Sequence, residues 1–284
     1  MGIRARHGTR RGNYAADVGV TICDVGPRDG LQNEAAVLSP AIRAELVSRL
    51  VAARLPRVEA VSFVRDDLVP QMAGAEEVVA GVVRGGATEL SGLVLNVRGY
   101  ERFAAVGLDR VNCGLAATET FNLRNANASL DEAVERVLSI LAASAAPVTA
   151  TVSCAFGCPF EGEVDPGAVA DLCERISGAD ELVLADTIGV ATPGRVRRLV
   201  ERIAILGRPV GVHLHNTRNS GYASAWAALD AGAEVLDASV GGLGGCPFSP
   251  NATGNIATED LAWQLEREGV RTGIDVAALV EVSR

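Results

Sequence analysis

The chain has 284 residues, of which 48% are hydrophobic, and its formal net charge is -9. This length is enough to bury a full hydrophobic core, and the negative charge argues against a nucleic-acid-binding surface. All 26 basic residues are arginine. The chain therefore has no lysine for a Schiff base, for attaching biotin or pyridoxal phosphate, or for the phosphate-binding loop of nucleotide hydrolases.

Eight strand-like apolar runs alternate along the chain with eight segments of helical periodicity. The predicted strands cover residues 20–25, 58–63, 90–96, 110–115, 148–154, 182–186, 210–215 and 235–240. The predicted helices cover residues 40–54, 75–84, 99–105, 130–143, 166–177, 193–206, 220–231 and 258–268. Start signals support several helices, such as Ser39 before Pro40 and Ser129 with Glu132 three residues later. Eight βα units with short connections predict a single (β/α)8 TIM barrel rather than a doubly wound sheet.

The remaining segments set the domain limits and the compartment. The arginine-rich start predicts a disordered N-terminal extension over residues 1–18, followed by one barrel domain over residues 19–284. No apolar run reaches the roughly 20 residues that span a membrane, and no signal-peptide core is visible. We therefore expect a cytoplasmic protein that contacts neither membrane nor nucleic acid.

The six cysteines form no C-x-x-C motif, so neither a disulfide scaffold nor a zinc site is indicated.

Two of the three histidines, His213 and His215, stand one residue apart in the seventh predicted strand. Alternate strand residues project to the same face, so both imidazoles could converge on one ion. Taken alone, such a pair is more often two ordinary strand residues than a pair of ligands. Catalytic groups of a TIM barrel gather where its strands end, so partners are expected at the ends of other strands. Asp29 follows the first predicted strand, Glu59 lies in the second, Asp186 ends the sixth, His213 and His215 end the seventh, and Asn255 follows the eighth, so these polar residues are expected to meet at one mouth.

Three long motifs occupy residues 23–34, 152–162 and 241–248, and two shorter ones begin at Asp186 and Asn255. Together, and in this order, they closely resemble 3-hydroxy-3-methylglutaryl-CoA (HMG-CoA) lyases, which belong to a metal-dependent TIM-barrel superfamily of lyases and aldolases. The likeness runs from about Val20 to Ile274. It implies cleavage of an acyl-CoA thioester, HMG-CoA, into acetyl-CoA and acetoacetate, as in leucine degradation, and it implies a homodimer.

The resemblance also implies a divalent metal ion, Mg²⁺ or Mn²⁺, held by Asp29, His213, His215 and Asn255. One carboxylate, two imidazoles and an amide oxygen suit these ions better than a thiolate-rich zinc site would. An ion bound there would make the substrate hydroxyl easier to ionise.

Further roles follow from the same resemblance. Arg28 would stabilise negative charge on the thioester oxygen, and Gln32 would contact the substrate. Glu59 and Asp186 are candidates for moving or organising the hydroxyl proton. Cys246 lies in a glycine-rich loop and would act as acid or base toward the carbanion of the departing acetyl group.

Departures from the family pattern leave the acyl group open. Asn216 follows the second histidine where many members have aspartate, and Arg218 occupies a position often filled by an uncharged residue. The alternatives are a lyase for a related 3-hydroxyacyl-CoA, such as isohexenylglutaryl-CoA or citramalyl-CoA, a condensing enzyme that joins acetyl-CoA to a 2-oxo acid, and a metal-binding barrel without turnover.

Overall fold

Eight parallel strands pair in sequence order and close into a barrel. The computed structural model describes residues 19–245 and 254–284. The strands are β1 (Thr21–Asp24), β2 (Arg57–Ser62), β3 (Glu89–Leu93), β4 (Arg110–Ala116), β5 (Val148–Ser153), β6 (Glu181–Asp186), β7 (Val210–Leu214) and β8 (Val235–Ala238). The predicted TIM barrel is confirmed. The predicted extension over residues 1–18 and the predicted acid/base residue Cys246 lie outside the described residues.

The helices cover the outside of the barrel. They are α1 (Pro40–Ala52), α2 (Ala75–Gly81), α3 (Val97–Ala104), α4 (Glu119–Ala126), α5 (Leu130–Ala143), α6 (Pro166–Arg175), α7 (Pro193–Ala204), α8 (Gly221–Asp230), α9 (Thr258–Arg267) and α10 (Val276–Val282). Because helices cover the outer face and side chains fill the lumen, strands such as β2 and β6 are buried along their whole length. Within the described ranges, no helix combines the length and apolar character needed to cross a membrane.

The helix start signals predicted at Ser39 and Ser129 form hydrogen bonds in the structure. The Ser39 hydroxyl accepts a hydrogen bond from the backbone N–H of Ile42 at the start of α1. Ser129 and Glu132 form the reciprocal capping box that starts α5. Helices α4 and α10 were not predicted. Helix α4 is short, and few of its residues are buried. Helix α10 follows the last βα unit, and the N–H of Asp275, just before it, donates a hydrogen bond to the carbonyl of Ala53.

Strand register decides which side chains share a level in the barrel lumen. His213 of β7 pairs laterally with Ala185 of β6 and with Asp237 of β8, and Asp237 pairs in turn with Cys23 of β1. Laterally paired residues project to the same face of the sheet. His213 and Asp237 therefore stand side by side inside the barrel.

A layer of ion pairs crosses the lumen at the amino ends of the strands. Arg57 pairs with Glu89 at 2.6 Å and with Glu181 at 2.7 Å, and Arg110 pairs with Glu89 at 2.8 Å. The Thr149 hydroxyl adds a hydrogen bond to Glu181 at 2.9 Å. Each buried charge thus has a partner, as a dry interior requires. This layer forms the floor of the lumen below the level of His213.

Candidate active site

The turn that follows β1 carries two of the predicted site residues, Arg28 and Asp29. It is a single π-helical turn, Gly26–Gly30, in which the N–H of Gly30 donates to the carbonyl of Val25 at 3.1 Å. Such turns are frequent at functional sites. Gly26 is required here because a Cβ at this position would lie 2.9 Å from a carboxylate oxygen of Asp24.

Asp29, His213 and His215 converge at the carboxyl ends of β1 and β7. Each of the three residues offers one candidate ligand atom, and these three atoms all lie within 4.8 Å of one another. The two Nε2 atoms are 3.2 Å apart, and Nε2 of His213 is 3.8 Å from Oδ2 of Asp29. Two atoms that bind one ion at right angles, each about 2.1 Å from it, lie about 3 Å apart. The spacing of the imidazoles therefore fits a shared divalent ion.

Asn255 lies against this group from the segment after β8. It lies beside His215 through an isolated antiparallel bridge, and its Nδ2 donates to Oδ2 of Asp29 at 3.1 Å and to the carbonyl of Leu243 at 3.0 Å. Its Oδ1 is buried and has no hydrogen-bond partner among the described residues. An orphaned amide oxygen beside a carboxylate and two imidazoles is a donor set that a divalent cation satisfies.

The electrostatics of Asp29 and His215 favour the forms that bind a cation, whereas Asp237 and Asp29 raise the pKa of His213 against the effect of burial. Burial raises the pKa of Asp29, but Arg28 and the two histidines outweigh it and bring this pKa down to about 2. Burial, reinforced by the neighbouring His213, lowers the pKa of His215 to about 4. At neutral pH the site thus offers an ionised carboxylate and a neutral imidazole, the forms that ligate metals.

Arg28 is held beside the group by Glu59 from β2. The guanidinium donates to Oε2 of Glu59 through Nε at 2.8 Å and approaches it through Nη2 at 2.6 Å. The other oxygen of Glu59 accepts from Nδ2 of Asn112 at 2.6 Å. Burial raises the pKa of Glu59, while Arg28 and Asn112 act in the opposite direction. Both oxygens of Glu59 are engaged, so this carboxylate organises the arginine.

Asp186 ends β6 at the same mouth, and its contacts are local. Its two oxygens accept the backbone N–H groups of Val190 and Ala191, both at 2.9 Å. Burial raises the pKa of Asp186, and these hydrogen bonds oppose that rise. The carboxylate thereby fixes the turn that leads from β6 toward α7.

A cavity of about 290 Å³ opens directly on these residues. Its polar lining includes Arg28, Asp29, Gln32, His213, His215 and Asp237. Oε1 of Gln32 is buried without a hydrogen-bond partner among the described residues, so its capacity to accept a hydrogen bond is unused. The cavity is large enough for a small acyl group.

The sequence profile of the HMGL-like family matches residues 19–284. The chain belongs to the HMGL-like family. This membership confirms the resemblance drawn from the motifs and identifies a carbon–carbon lyase. It also accords with the candidate divalent-metal group of Asp29, His213 and His215.

Individual HMGL-like relatives cover almost the whole chain. An (R)-citramalyl-CoA lyase of Chloroflexus aurantiacus is 44% identical over 93% of this chain and 89% of its own. A 3-hydroxy-3-isohexenylglutaryl-CoA/hydroxymethylglutaryl-CoA lyase of Pseudomonas aeruginosa is 40% identical over 93% of this chain and 91% of its own. The solved HMG-CoA lyase of Acinetobacter baumannii, in complex with coenzyme A and 3-methylmalate, superposes with a TM-score of 0.87 at 35% identity over 94% of this chain and 89% of its own.

Two further residues of this HMGL-like site were not singled out from the sequence. Asp237 lies 3.3 Å from Nδ1 of His213, and Asn112 supports Glu59. Asp237 and Asn112 both face the lumen from within a strand, and neither lies in one of the family motifs. Alternation along β8, which places Asp237 on one face with Val235, was the available signal.

The glycine-rich loop is described as far as Gly245, the residue before Cys246. Gly245 lines the cavity, and its carbonyl accepts a hydrogen bond from Nδ2 of Asn33 at 3.1 Å. The loop thus approaches the mouth of the barrel from the side of the turn after β1.

Proposed function

We propose that this lyase cleaves a 3-hydroxyacyl-CoA thioester, HMG-CoA in the first instance, to acetyl-CoA and an oxo acid with the help of a divalent ion. The observation that carries this proposal is the convergence of Asp29, His213 and His215 on one point beside Arg28, at the wall of the cavity. Cleavage of this kind creates an alkoxide and then a thioester enolate. Both charges need support of the kind that these residues provide.

The ion is held, in this proposal, by Asp29, His213, His215 and Asn255, and Mg²⁺ or Mn²⁺ is the expected metal because these ligands are oxygen and nitrogen atoms. When bound, it polarises the substrate hydroxyl and lowers its pKa. Asn255 supports the proposal because its Oδ1 is the buried acceptor that lacks a partner in the described part of the chain.

Arg28 supplies the fixed positive charge for the thioester oxygen. Its guanidinium is pinned by Glu59 at 2.8 Å and by Asp29 at 2.9 Å, so it needs little reorganisation as the enolate forms. Glu59 organises this cation, and Asp186 shapes the β6 turn, whose residues Ala185 and Thr187 line the cavity. Gln32 contacts the substrate through its unpartnered Oε1.

Cys246 is proposed to deliver the proton that converts the acetyl-CoA enolate to product. Support comes from the cavity lining, which includes the neighbouring Gly245. None of the five described cysteines belongs to the lining of the cavity, so none of them is placed for this role.

(R)-Citramalyl-CoA is the second candidate substrate, favoured by the 44% identity to the Chloroflexus aurantiacus enzyme. It has one CH₂ fewer between its carboxylate and the carbinol carbon than HMG-CoA has, and the same bond cleavage would release pyruvate in place of acetoacetate. The proposed metal ligands and Arg28 would serve both substrates equally. The preference for one substrate over the other therefore depends on the other residues that line the cavity.

One experiment tests these substrates directly. Purified protein is incubated with Mg²⁺ and either HMG-CoA or (R)-citramalyl-CoA, and acetoacetate and pyruvate are measured separately. A higher kcat/KM for HMG-CoA supports the first candidate, and a higher value for citramalyl-CoA replaces it with the second. Thiol release only from acetyl-CoA with a 2-oxo acid would identify a condensing enzyme, and no turnover of any thioester would reject the lyase proposal.

We also propose a cytoplasmic homodimer that contributes to leucine degradation, with residues 19–284 as its single catalytic domain. Light scattering of the purified protein tests the dimer. Removal of residues 1–18 should leave kcat/KM unchanged, because the family match begins at residue 19.

A further inference from the structure

Asp237 contacts one of the proposed metal ligands from behind. Its Oδ2 lies 3.3 Å from Nδ1 of His213, the ring nitrogen on the opposite side from the metal group. The two residues are lateral partners in β8 and β7, and Asp237 is 9% exposed. The rigid sheet rather than a loop therefore sets this contact.

The contact decides which nitrogen of His213 carries the proton. A neutral imidazole has one N–H, and a carboxylate can only accept, so Asp237 selects the tautomer that is protonated at Nδ1. The lone pair then resides on Nε2, which lies 3.2 Å from Nε2 of His215 and 3.8 Å from Asp29. The ring is fixed both in tautomer and in rotation.

His215 lacks an equivalent partner. Its Nδ1 is buried and has no hydrogen bond within the described ranges. The two histidines therefore differ in how they are held, although both are buried and one residue apart. This difference provides an internal control, because a change at Asp237 should act through His213 and leave the contribution of His215 intact.

We propose that Asp237 is a positioning residue that holds His213 as the Nδ1–H tautomer and directs its Nε2 toward a divalent metal ion. This inference rests on the proposed metal-dependent function. Partners of this kind behind ligating histidines typically change metal affinity by about 10- to 100-fold when they are removed.

A double-mutant cycle on Mn²⁺ binding tests the proposal without using turnover. Free Mn²⁺ is measured by electron paramagnetic resonance for the wild type and for Asp237→Asn, each also combined with His213→Ala or with His215→Ala. An asparagine can donate to Nδ1 and hold the wrong tautomer, so the single variant should bind Mn²⁺ about 10- to 100-fold more weakly.

The combinations separate positioning from a simple loss of negative charge. The Asp237→Asn effect should shrink to less than about twofold in the His213→Ala background, because the residue it positions is gone. It should persist in full in the His215→Ala background. An equal loss of affinity in both backgrounds would show that Asp237 acts only by its charge, and the proposal would be rejected.

The tautomer can also be observed directly, without any variant. With three histidines in the chain, a long-range ¹H–¹⁵N correlation spectrum of the Mg²⁺-loaded, histidine-labelled wild-type protein should show His213 protonated at Nδ1. Protonation at Nε2 would overturn the proposal even if Asp237→Asn failed to fold. If instead the tautomer is as proposed but no thioester is cleaved, the positioning role stands and the proposed lyase function falls.

Discussion

Arg28 and Glu59 form a two-point ion pair inside the barrel, with Nε and Nη2 of the guanidinium at 2.8 and 2.6 Å from the same carboxylate oxygen. The second oxygen of Glu59 is taken by Asn112 at 2.6 Å. The position of the arginine thus depends on a carboxylate whose two oxygens are both engaged, one by the guanidinium and one by Asn112. Glu59 should act on turnover through Arg28.

Replacing Glu59 with glutamine should lower kcat by about 100-fold, since a misplaced cation stabilises the enolate poorly. Mn²⁺ affinity should change far less, because Glu59 does not belong to the metal group. Glu89→Gln is the matched control, since Glu89 pairs with two arginines in the floor of the lumen. The control should lower the melting temperature and spare kcat; an equal loss of kcat in both variants would contradict the assignment.

Removing one imidazole should weaken the metal site. We expect His215→Ala to raise the dissociation constant for Mn²⁺ by at least tenfold, because the ring supplies one of three convergent ligand atoms. Isothermal titration calorimetry measures the change, and His7→Ala is the control histidine. Unaltered Mn²⁺ affinity in the His215 variant would argue against the metal site.

Cys246→Ala should retain Mn²⁺ affinity and lose turnover by about 10²- to 10⁴-fold, the usual contribution of a general acid or base. Cys173 is a suitable comparison, since it is buried in α6, where burial raises its pKa to about 12. Cys173→Ala should cost stability without a comparable loss of kcat. Normal turnover by the Cys246 variant would remove the thiol from the mechanism.

Asp24 should make stability depend on pH in an unusual direction. Burial raises its pKa from 3.8 to about 7, against opposing hydrogen bonds from Thr258 and Gly26. Between about pH 4 and 7 the folded state therefore holds a proton that the unfolded chain has released. The contribution of Asp24 to the free energy of unfolding should fall as pH rises through this window, by up to about 4 kcal/mol.

Urea unfolding of the wild type and of Asp24→Asn at several pH values between 4.5 and 7.5 measures that contribution as a difference. The wild type should lose stability relative to the variant as pH rises. Parallel curves for the two proteins would show that the pKa of Asp24 is ordinary.

The sequence predicts the barrel well because each strand is a short apolar run followed by a helical segment, and several of those helices have a start signal. It predicts less where the structure depends on contacts between distant elements. His213 and His215 stand one residue apart at the end of β7, whereas the contact between Asp29 and Asn255 spans 226 positions. That contact was expected from the gathering of strand-end residues at the mouth of a barrel and from the family resemblance. Periodicity cannot supply such a contact.

Asp237 was missed for a related reason. Its place behind His213 depends on the lateral register of β7 and β8, which a single sequence does not specify. For Asp186, the sequence predicts the position but not the hydrogen-bond partners. Its position at a strand end was predicted, but its partners are the backbone N–H groups of Val190 and Ala191, which depend on the exact turn.

Among the described residues, the ion-pair floor of Arg57, Glu89, Arg110 and Glu181 closes the amino end of the lumen, and the cavity opens at the carboxyl ends of the strands. Everything that enters must leave by the same mouth, so the two products of a cleavage reaction cannot depart independently. In the proposed reaction, the fragment joined to coenzyme A would occupy the opening, and the oxo acid would lie deeper, beside the residues proposed to hold the metal ion. Acetyl-CoA should therefore leave first, and the oxo acid should be the product that competes with the next substrate molecule.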